Sequence, residues 1–372
     1  MAGPAPIILC AGQYGSASTW LYNAVHALME AEYGPVHQHI HRQFADSPDQ
    51  FPRAVDTAAP LLLKTHAPTR GLRWLAARAG GRAILSIRDP RDAVASLMAR
   101  FHFDYALCRD RVEQTCQALP LLPDAVPCLV LRYEDGFSQD PATLARIARF
   151  LGLKPSARLR RRVFDDLTPD AVRARIAAMM EAGALGPNPT AHSHDGTSHW
   201  HPGHVGDGLP GKFATVLTAG QAADIARRGA GFAEAFGYAM PPPATLRPGE
   251  TRRLENWGPG IACLGTGFAA PDVEGAWLSA RQAMLHIPLE AGPAATLLLE
   301  VEAPAPTRRP ALLASWEETL LLPATPVPGR GVMAVPLPAR EESTEMALHL
   351  RAGAPRPGRP PRLRLRAIGL SA

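Results

Sequence analysis

The chain has 372 residues and a formal net charge of +5 at pH 7, which fits two domains of a globular protein. No apolar run reaches the ~18 residues of a membrane span, and the N-terminus lacks the pattern of a signal peptide, so we expect a cytoplasmic protein. The mild positive balance suits anionic small ligands or acidic glycans and does not indicate a nucleic-acid partner. Five scattered cysteines without a C-x-x-C pair argue against a disulfide framework and a thiolate zinc site.

Up to about residue 240, short apolar strands alternate with amphipathic helices. We expect strands at 6–11, 60–64, 82–88 and 126–132, and helices near 18–31, 70–79, 90–103 and 109–119. This alternation is typical of a parallel sheet with helices on both faces. We therefore predict an α/β domain over residues 1–240.

Local signals add detail to this domain. The pairs Asp89-Pro90 and Asp140-Pro141 mark helix starts, because Asp suits the N-cap and Pro the first helical position. The second of these helices, at 142–151, should end at Gly152. Residues 183–212, rich in Gly, Pro and His, predict a long loop or lid, which a helix near 218–235 follows.

The pattern changes beyond the Pro-rich stretch 241–254, which we interpret as a linker. Short runs at 283–289, 295–303, 310–316, 331–338, 344–352 and 361–369 are separated by Pro and Gly. They predict an all-β sandwich over 255–372. Tryptophans more often fill a sandwich core than bind sugars, so we favour a core position for Trp257, Trp277 and Trp316. A carbohydrate-binding module is the alternative.

Residues 11–20 form a small-residue turn between an apolar strand and a helical pattern. Free N–H groups and the dipole at a helix start favour anions. A Walker A loop needs a second glycine and a lysine, where this chain has Ala17 and Ser18, so an ordinary ATPase or GTPase is disfavoured. The turn predicts an anion cradle, to which Ser16, Ser18 and Thr19 add hydroxyls. A plain capped turn is the alternative.

Three other strand ends carry polar groups. In Lys64-Thr65-His66 the lysine and histidine can share a face, and the imidazole suits a general base beside a charge-stabilising cation. Arg88 and Ser96 can share one phosphate across a helix start. Tyr133 can contact a base, and Glu134 can orient a neighbour. The alternatives are a solvated strand end at residues 64–66, an ordinary N-capped helix with exposed arginines at residues 88–96, and a plain strand followed by a helix around Tyr133.

Together these four segments resemble the PAPS-dependent sulfotransferase family. Residues 16–21 match its 5′-phosphosulfate loop, Lys64-Thr65-His66 its base-bearing strand, residues 88–96 its 3′-phosphate segment, and 132–135 with 150–152 its next block. The matches occur in family order over about residues 6–240.

The resemblance implies transfer of a sulfuryl group from 3′-phosphoadenylyl sulfate (PAPS) to an acceptor hydroxyl or amine, with PAP as product and no metal. His66 would deprotonate the acceptor and Lys64 would stabilise the leaving oxygen. The residues implied in binding the donor are Gly15, Ser16, Ala17, Ser18, Thr19, Trp20, Arg88, Ser96, Tyr133, Gly206, Gly211 and Lys212. The resemblance implies a small-molecule or glycan acceptor, and the sequence does not distinguish a polysaccharide, a glycolipid, a small phenol or a protein tyrosine.

The sequence departs from the family pattern at two places. Gly15 stands where the family has Lys or Arg, so a catalytically weak nucleotide-binding relative is one alternative, and a P-loop kinase is another. The late loop 204–213 keeps glycines, but its basic pair is replaced and Phe213 stands for Trp.

Two sets of histidines invite a zinc interpretation. For His192, His194, His199, His201 and His204 we favour an acceptor-side lid, because no cysteine partner lies near. For His37, His39 and His41 we favour a helix end or the rim of an acceptor site.

Overall fold

The structure, a computed structural model, describes residues 7–40, 60–185, 194–303, 310–353 and 363–371. The helices are α1 (Ser18–Tyr33), α2 (Arg70–Arg78), α3 (Pro90–Phe101), α4 (Tyr105–Ala118), α5 (Ala142–Leu151), α6 (Ala157–Asp166), α7 (Pro169–Glu181), α8 (Phe213–Val216), α9 (Ala219–Arg228) and α10 (Ala230–Phe236). The strands are β1 (Ile7–Gly12), β2 (His37–Ile40), β3 (Leu61–Thr65), β4 (Arg82–Ile87), β5 (Cys128–Arg132), β6 (Thr251–Arg253), β7 (Ala276–Trp277), β8 (Gln282–Leu289), β9 (Ala295–Glu302), β10 (Ala311–Trp316), β11 (Thr319–Pro326), β12 (Arg330–Leu337), β13 (Thr344–Ala352) and β14 (Arg364–Leu370).

Internal contacts divide the chain into two units. The N-terminal unit comprises Met1–Phe213 with Gly229–Tyr238, and the C-terminal unit comprises Ala214–Arg228 with Ala239–Ala372. The helix predicted near 218–235 is therefore two helices, α9 and α10, which belong to different units. The guanidinium of Arg227 in α9 donates to the carbonyls of Ala262 and Leu264 in the C-terminal unit. The predicted boundary near residue 240 otherwise stays a prediction.

The N-terminal unit contains a parallel sheet in the order β2-β3-β1-β4-β5. Every residue of β1 is buried, which requires cover on both faces. Ile8 and Cys10 lie in a core cluster with residues of α1, α5, α6 and α7. Ile7 and Leu9 are buried on the opposite face, and α2 also contacts β1. The predicted α/β fold with helices on both faces is confirmed.

The expected helix starts are confirmed by their hydrogen bonds. The Asp89 carboxylate accepts from the Arg91 N–H at 2.9 Å, and the Asp140 carboxylate accepts from the Ala142 N–H at 2.9 Å. Gly152 ends α5 with φ 77°. Among the described residues, none of the helices has the length and apolarity to cross a bilayer.

The C-terminal unit contains two antiparallel sheets. One has the order β11-β10-β13-β8 and the other the order β12-β9-β14-β6, with β7 paired to β14. Side chains alternate between buried and more accessible along β9 and β13, as expected when each sheet buries one face. The predicted all-β region is confirmed.

The tryptophans of this unit differ from the prediction. Trp257 is 50% exposed, so its predicted core position is wrong. Trp277 is half-buried and stacks under the guanidinium of Arg364 at 4.2 Å, and Trp316 is half-buried as well. Aliphatic side chains such as Leu297, Leu299 and Val301 fill the interior instead.

A packing prediction follows from Gly12 at the end of β1. A Cβ there would lie 2.4 Å from both the Ser18 Cβ and the Ser86 Oγ. Gly12→Ala should lower the free energy of unfolding of the N-terminal unit by about 1–3 kcal/mol through overpacking. Urea unfolding followed by tryptophan fluorescence measures the change.

Gly231→Ala in α10 is the matched control, because no atom lies within 4 Å of a Cβ at that site. It should stabilise the helix by about 0.5 kcal/mol, since alanine is the better helix former. Equal stability of Gly12→Ala and the wild type would contradict the close packing of this turn.

Candidate active site

The turn between β1 and α1 has the backbone of an anion cradle. Gly15 and Ala17 both lie in the left-handed region, with φ 73° and φ 59°, and α1 begins at Ser18. N–H groups in the first turn of a helix have no intrahelical acceptor, and the helix dipole places partial positive charge there. These donors face the carboxyl edge of the sheet, where ligands of open α/β sheets bind.

Buried side chains hold this turn in place. Gln13 accepts from the Arg88 N–H at 2.9 Å through its side-chain oxygen, and its own N–H donates to the Ser86 carbonyl at 2.9 Å. The Ser16 hydroxyl is also buried and donates to the Gln13 carbonyl at 2.6 Å. This hydroxyl closes the turn in the structure, and its contribution to the cradle stays a prediction.

Lys64 reaches the cradle from the end of β3. Its Nζ donates to the Thr19 Oγ1 at 3.0 Å, in the first turn of α1. Burial lowers the pKa of Lys64 to about 8, opposed by the nearby Cys10 thiol. The ammonium group therefore carries its charge at neutral pH and is poorly compensated, which favours an anion beside it.

His66 lies beside the same turn. Its Nδ1 is 2.5 Å from the Gly12 carbonyl, and its ring stacks on Tyr14 with centroids 3.9 Å apart. Burial and the charge of Lys64 lower the pKa of His66 to about 3, so the imidazole is neutral. Because a carbonyl only accepts, Nδ1 carries the hydrogen and Nε2 keeps its lone pair. This tautomer is the one that a general base requires.

Arg88 and Ser96 meet at Gly15. The Arg88 guanidinium donates to the Gly15 carbonyl at 3.1 Å and lies over the Tyr133 ring at 4.2 Å. A Cβ on Gly15 would lie 3.4 Å from the Ser96 Oγ, in a conformation that strains other residues. The positive φ at position 15 therefore favours glycine. The sharing of one phosphate by Arg88 and Ser96 stays a prediction.

Asp92, which sequence reasoning missed, ties the late glycine-rich loop to α3. Its carboxylate accepts from the N–H groups of Gly211 at 2.6 Å and Phe213 at 2.9 Å, and lies 3.5 Å from Arg88. Lys212 pairs with Asp207 at 2.7 Å. Arg88 also donates to the Leu209 carbonyl at 2.8 Å, so the loop lies against the predicted 3′-phosphate residues.

Gly206 is part of the same loop, and Tyr133 lies beside it. A Cβ on Gly206 would lie 3.4 Å from the Arg100 side chain, and one on Gly208 would lie 3.6 Å from the Tyr133 hydroxyl. The expected orienting role of Glu134 has a structural basis, because its carboxylate accepts from the Asp89 N–H at 2.8 Å and from the Tyr238 hydroxyl at 2.9 Å. Contact of Tyr133 with a base stays a prediction.

The histidine-rich segment 194–204 lies close to the Lys64 ammonium. Burial and the Lys64 charge lower the pKa of His199 to about 3 and of His201 to about 4, and also lower that of His204. The His199 ring lies 4.8 Å from Tyr22 of α1, with its backbone at φ 60°. The segment is anchored by Asn23, which donates to the Ser198 carbonyl at 2.8 Å.

The described residues contain no group of three or more His, Cys, Asp or Glu side chains arranged to hold a metal ion. His192 and His41 lie outside the described residues. His37 and His39 lie on the edge strand β2, so the predicted helix end is wrong there.

Gln13 and Asp92 were not predicted as site residues. Their sequence signals are a Q-x-x-S pattern in the turn and an Asp three residues after an N-cap, and neither signal is specific.

Comparisons with known proteins give similar structures only. No protein-family model matches the sequence, and no curated protein matches it. The architecture is similar to that of sulfotransferases. Retinol dehydratase in complex with androsterone and the inactive cofactor PAP is 15% identical with a TM-score of 0.42, covering 63% of this chain and 82% of that chain.

Two further solved structures are similar to this chain. Retinol dehydratase in a complex with retinol and PAP is 14% identical with a TM-score of 0.44, covering 63% of this chain and 82% of that chain. Mouse sulfotransferase SULT7A1 complexed with PAP is 14% identical with a TM-score of 0.41, covering 64% of this chain and 89% of that chain.

The buried neutral histidines predict acid sensitivity. The pKa values of His66, His199, His201 and His204 are lowered in the folded state, so the unfolded chain binds more protons below pH 6.5. Stability should therefore fall as the pH falls from about 6.5 towards 4, by up to about 1.4 kcal/mol per pH unit for each histidine. Urea unfolding at a series of pH values measures this slope.

His201→Phe should remove the contribution of one imidazole to the slope of stability against pH. The His201 ring lies 5.2 Å from the Phe101 ring, so a phenyl group can take its place. His349→Gln, at an exposed position of β13, is the matched control and should leave the slope unchanged. Identical slopes in the wild type and His201→Phe would show that this imidazole is not held neutral by burial.

Proposed function

We propose that this protein is a sulfotransferase, which moves a sulfuryl group from PAPS to an acceptor hydroxyl or amine. One observation carries the proposal: a neutral imidazole and a half-buried ammonium group lie on the same anion cradle. His66 bonds to the Gly12 carbonyl at 2.5 Å, and Lys64 bonds to Thr19 at 3.0 Å. A base and a cation on one anion site are what group transfer to a hydroxyl requires.

Each group has a definite role in this proposal. The donor supplies an activated bond between sulfur and its 5′-phosphate oxygen. His66 receives the acceptor proton on Nε2 while the acceptor oxygen bonds to sulfur. Lys64 stabilises the electron pair left on the phosphate oxygen, and the first-turn N–H groups of α1 share that charge. The protein thus contributes proton transfer, positioning and charge stabilisation.

The residues fit the donor at both ends. The turn from Gly15 to Trp20 would hold the phosphosulfate, and Arg88 with Ser96 would hold the 3′-phosphate. The Arg88 Nε is a buried donor with no partner among the described residues, which fits a missing anion. Lys64 compensates for the cation that Gly15 lacks, because its Nζ already contacts the first turn of α1. Tyr133, Gly206, Gly211 and Lys212 complete the proposed donor site.

Sulfate transfer tests the proposal directly. The protein is incubated with PAPS and a panel of phenol, amine and glycan acceptors, and products are detected by mass. His66→Ala should lower kcat by about 10²–10⁴, the usual contribution of a general base. His349→Ala is the matched control and should retain full activity.

Transfer to none of the acceptors, together with tight PAP binding, would favour the catalytically silent nucleotide-binding relative. Undiminished turnover by His66→Ala would contradict the proposed base.

The lowered pKa of Lys64, about 8, predicts a pH dependence of PAP binding. Above that pH the free protein loses the ammonium charge, so PAP affinity should fall by up to about tenfold per pH unit. Calorimetric titration between pH 7 and 9.5 measures this decline.

Lys64→Arg should keep the affinity constant over this range, because a guanidinium stays charged. Lys64→Met should bind weakly at every pH, and Lys154→Met, at an exposed position, should behave as the wild type. An unchanged pH profile in Lys64→Met would contradict the contact between Lys64 and the bound anion.

A further inference from the structure

Helix α2 exposes a tryptophan between two arginines. Trp74 is 65% exposed, and Arg70 and Arg78 lie four residues before and after it, also exposed. Residues at this spacing share one face of a helix, so the three side chains form one row, which we call the α2 stripe. The opposite face of α2 is buried through Leu72 and Leu75.

The α2 stripe is free of local charge compensation. No hydrogen bond or ion pair joins the side chain of Arg70 or Arg78 to another described residue. By contrast, Arg73 on the same helix donates to the Pro68 carbonyl at 2.7 Å. Binding surfaces are enriched in aromatic residues and arginine, and the α2 stripe has this composition.

The sequence around the stripe carries one sign of charge. Between Asp56 and Asp89 there is no acidic residue, and the segment contains six cations: Lys64, Arg70, Arg73, Arg78, Arg82 and Arg88. The whole chain has a net charge of +5, so the remainder is almost neutral. The segment includes Lys64 and His66, and its charge therefore favours an anionic ligand at the proposed reaction centre and along α2.

The α2 stripe lies within reach of His66 for a chain-like ligand. Thr69, the N-cap of α2, is three positions after His66, and Trp74 is five positions further. With at most ~3.5 Å per extended residue and 1.5 Å per helical residue, the two Cα atoms are at most about 18 Å apart. A polymer of several units that is held at His66 is long enough to reach the α2 stripe.

We propose that the α2 stripe binds an anionic polysaccharide acceptor and guides it to His66. This inference rests on the proposed sulfotransferase function and names its acceptor class. The indole face of Trp74 stacks on a sugar ring, and Arg70 and Arg78 pair with the carboxylates or sulfates of neighbouring units. A membrane surface fits less well, because α2 presents one indole rather than a broad apolar face.

Binding of unsulfated chondroitin, which carries carboxylates, tests the stripe in the full-length protein saturated with PAP. Trp74→Ala should weaken binding by about tenfold, as expected for a lost aromatic stack. Arg70→Met/Arg78→Met should weaken it further in low salt and flatten its salt dependence. Neutral dextran should bind poorly.

Matched controls lie in the C-terminal unit. Trp257→Ala removes a similarly exposed tryptophan, and Arg281→Met/Arg351→Met removes two exposed arginines. These variants should bind chondroitin as the wild type does. Loss of binding in Trp257→Ala but not in Trp74→Ala would overturn the proposal in favour of a sugar site in the C-terminal unit.

Two other ligand classes are outcomes of the same experiment. Tighter Trp74-dependent binding to phosphatidylserine vesicles or to single-stranded DNA than to chondroitin would overturn the polysaccharide assignment. Equal binding of dextran and chondroitin would overturn the role of charge.

Turnover separates this inference from the proposed function. With chondroitin as acceptor, Trp74→Ala should raise KM about tenfold and keep kcat, whereas with 4-nitrophenol both constants should stay unchanged. An unchanged KM for chondroitin would overturn the inference. Failure of the wild type to sulfate any acceptor, with Trp74-dependent chondroitin binding intact, would overturn the proposed function and support the stripe as a polysaccharide site.

Discussion

The close packing of the β1–α1 turn is the constraint on which the candidate site depends. Gly12 leaves no room for a Cβ, and its carbonyl accepts from the Nδ1 of His66. The same turn closes through the Ser16 hydroxyl and anchors the backbone of Arg88 through Gln13. One backbone segment therefore sets the tautomer of the base, the direction of the helix-start donors and the start of the Arg88 segment.

Under the proposed function, Lys64 takes the place of the lysine of a Walker A loop. Lys64 supplies the cation from a neighbouring strand and contacts the first turn of α1. The left-handed backbone at Gly15 disfavours a residue with a side chain at this position of the turn. Under the proposed function, Lys64 would therefore supply the cation that Gly15 lacks.

Much of the N-terminal fold was predictable because its signals are local. Asp89 and Asp140 cap helices through hydrogen bonds to residues two positions away, and the apolar runs of β1 and β3 are buried on both faces. The edge strand β2 lacks such a run and was missed, and β11 was missed although it contains Leu320-Leu321-Leu322, which are not buried. Helices α6 and α7 were not predicted either, although Ser156 and Thr168 cap them.

The site was predictable only in part, because its other half comes from distant segments. Lys64 and His66 follow from a strand end, but the docking of Asp92 on Gly211 and the stacking of Tyr14 on His66 depend on tertiary packing. The exposure of Trp257 and Trp74 could not be predicted either, because the residue type alone does not determine whether a tryptophan is buried. Trp74 is the centre of the α2 stripe, which we propose as the surface that binds the acceptor.

The central claim is that the cradle at the start of α1, with Lys64 and Arg88, binds a nucleotide carrying a 3′-phosphate without metal. Calorimetric titration of PAP and of ATP in EDTA tests it most directly. The account predicts that PAP binds at least about tenfold more tightly than ATP, because Arg88 and Ser96 add a charged contact to the 3′-phosphate. Tighter binding of ATP, or PAP binding that requires magnesium, would contradict it and favour a kinase.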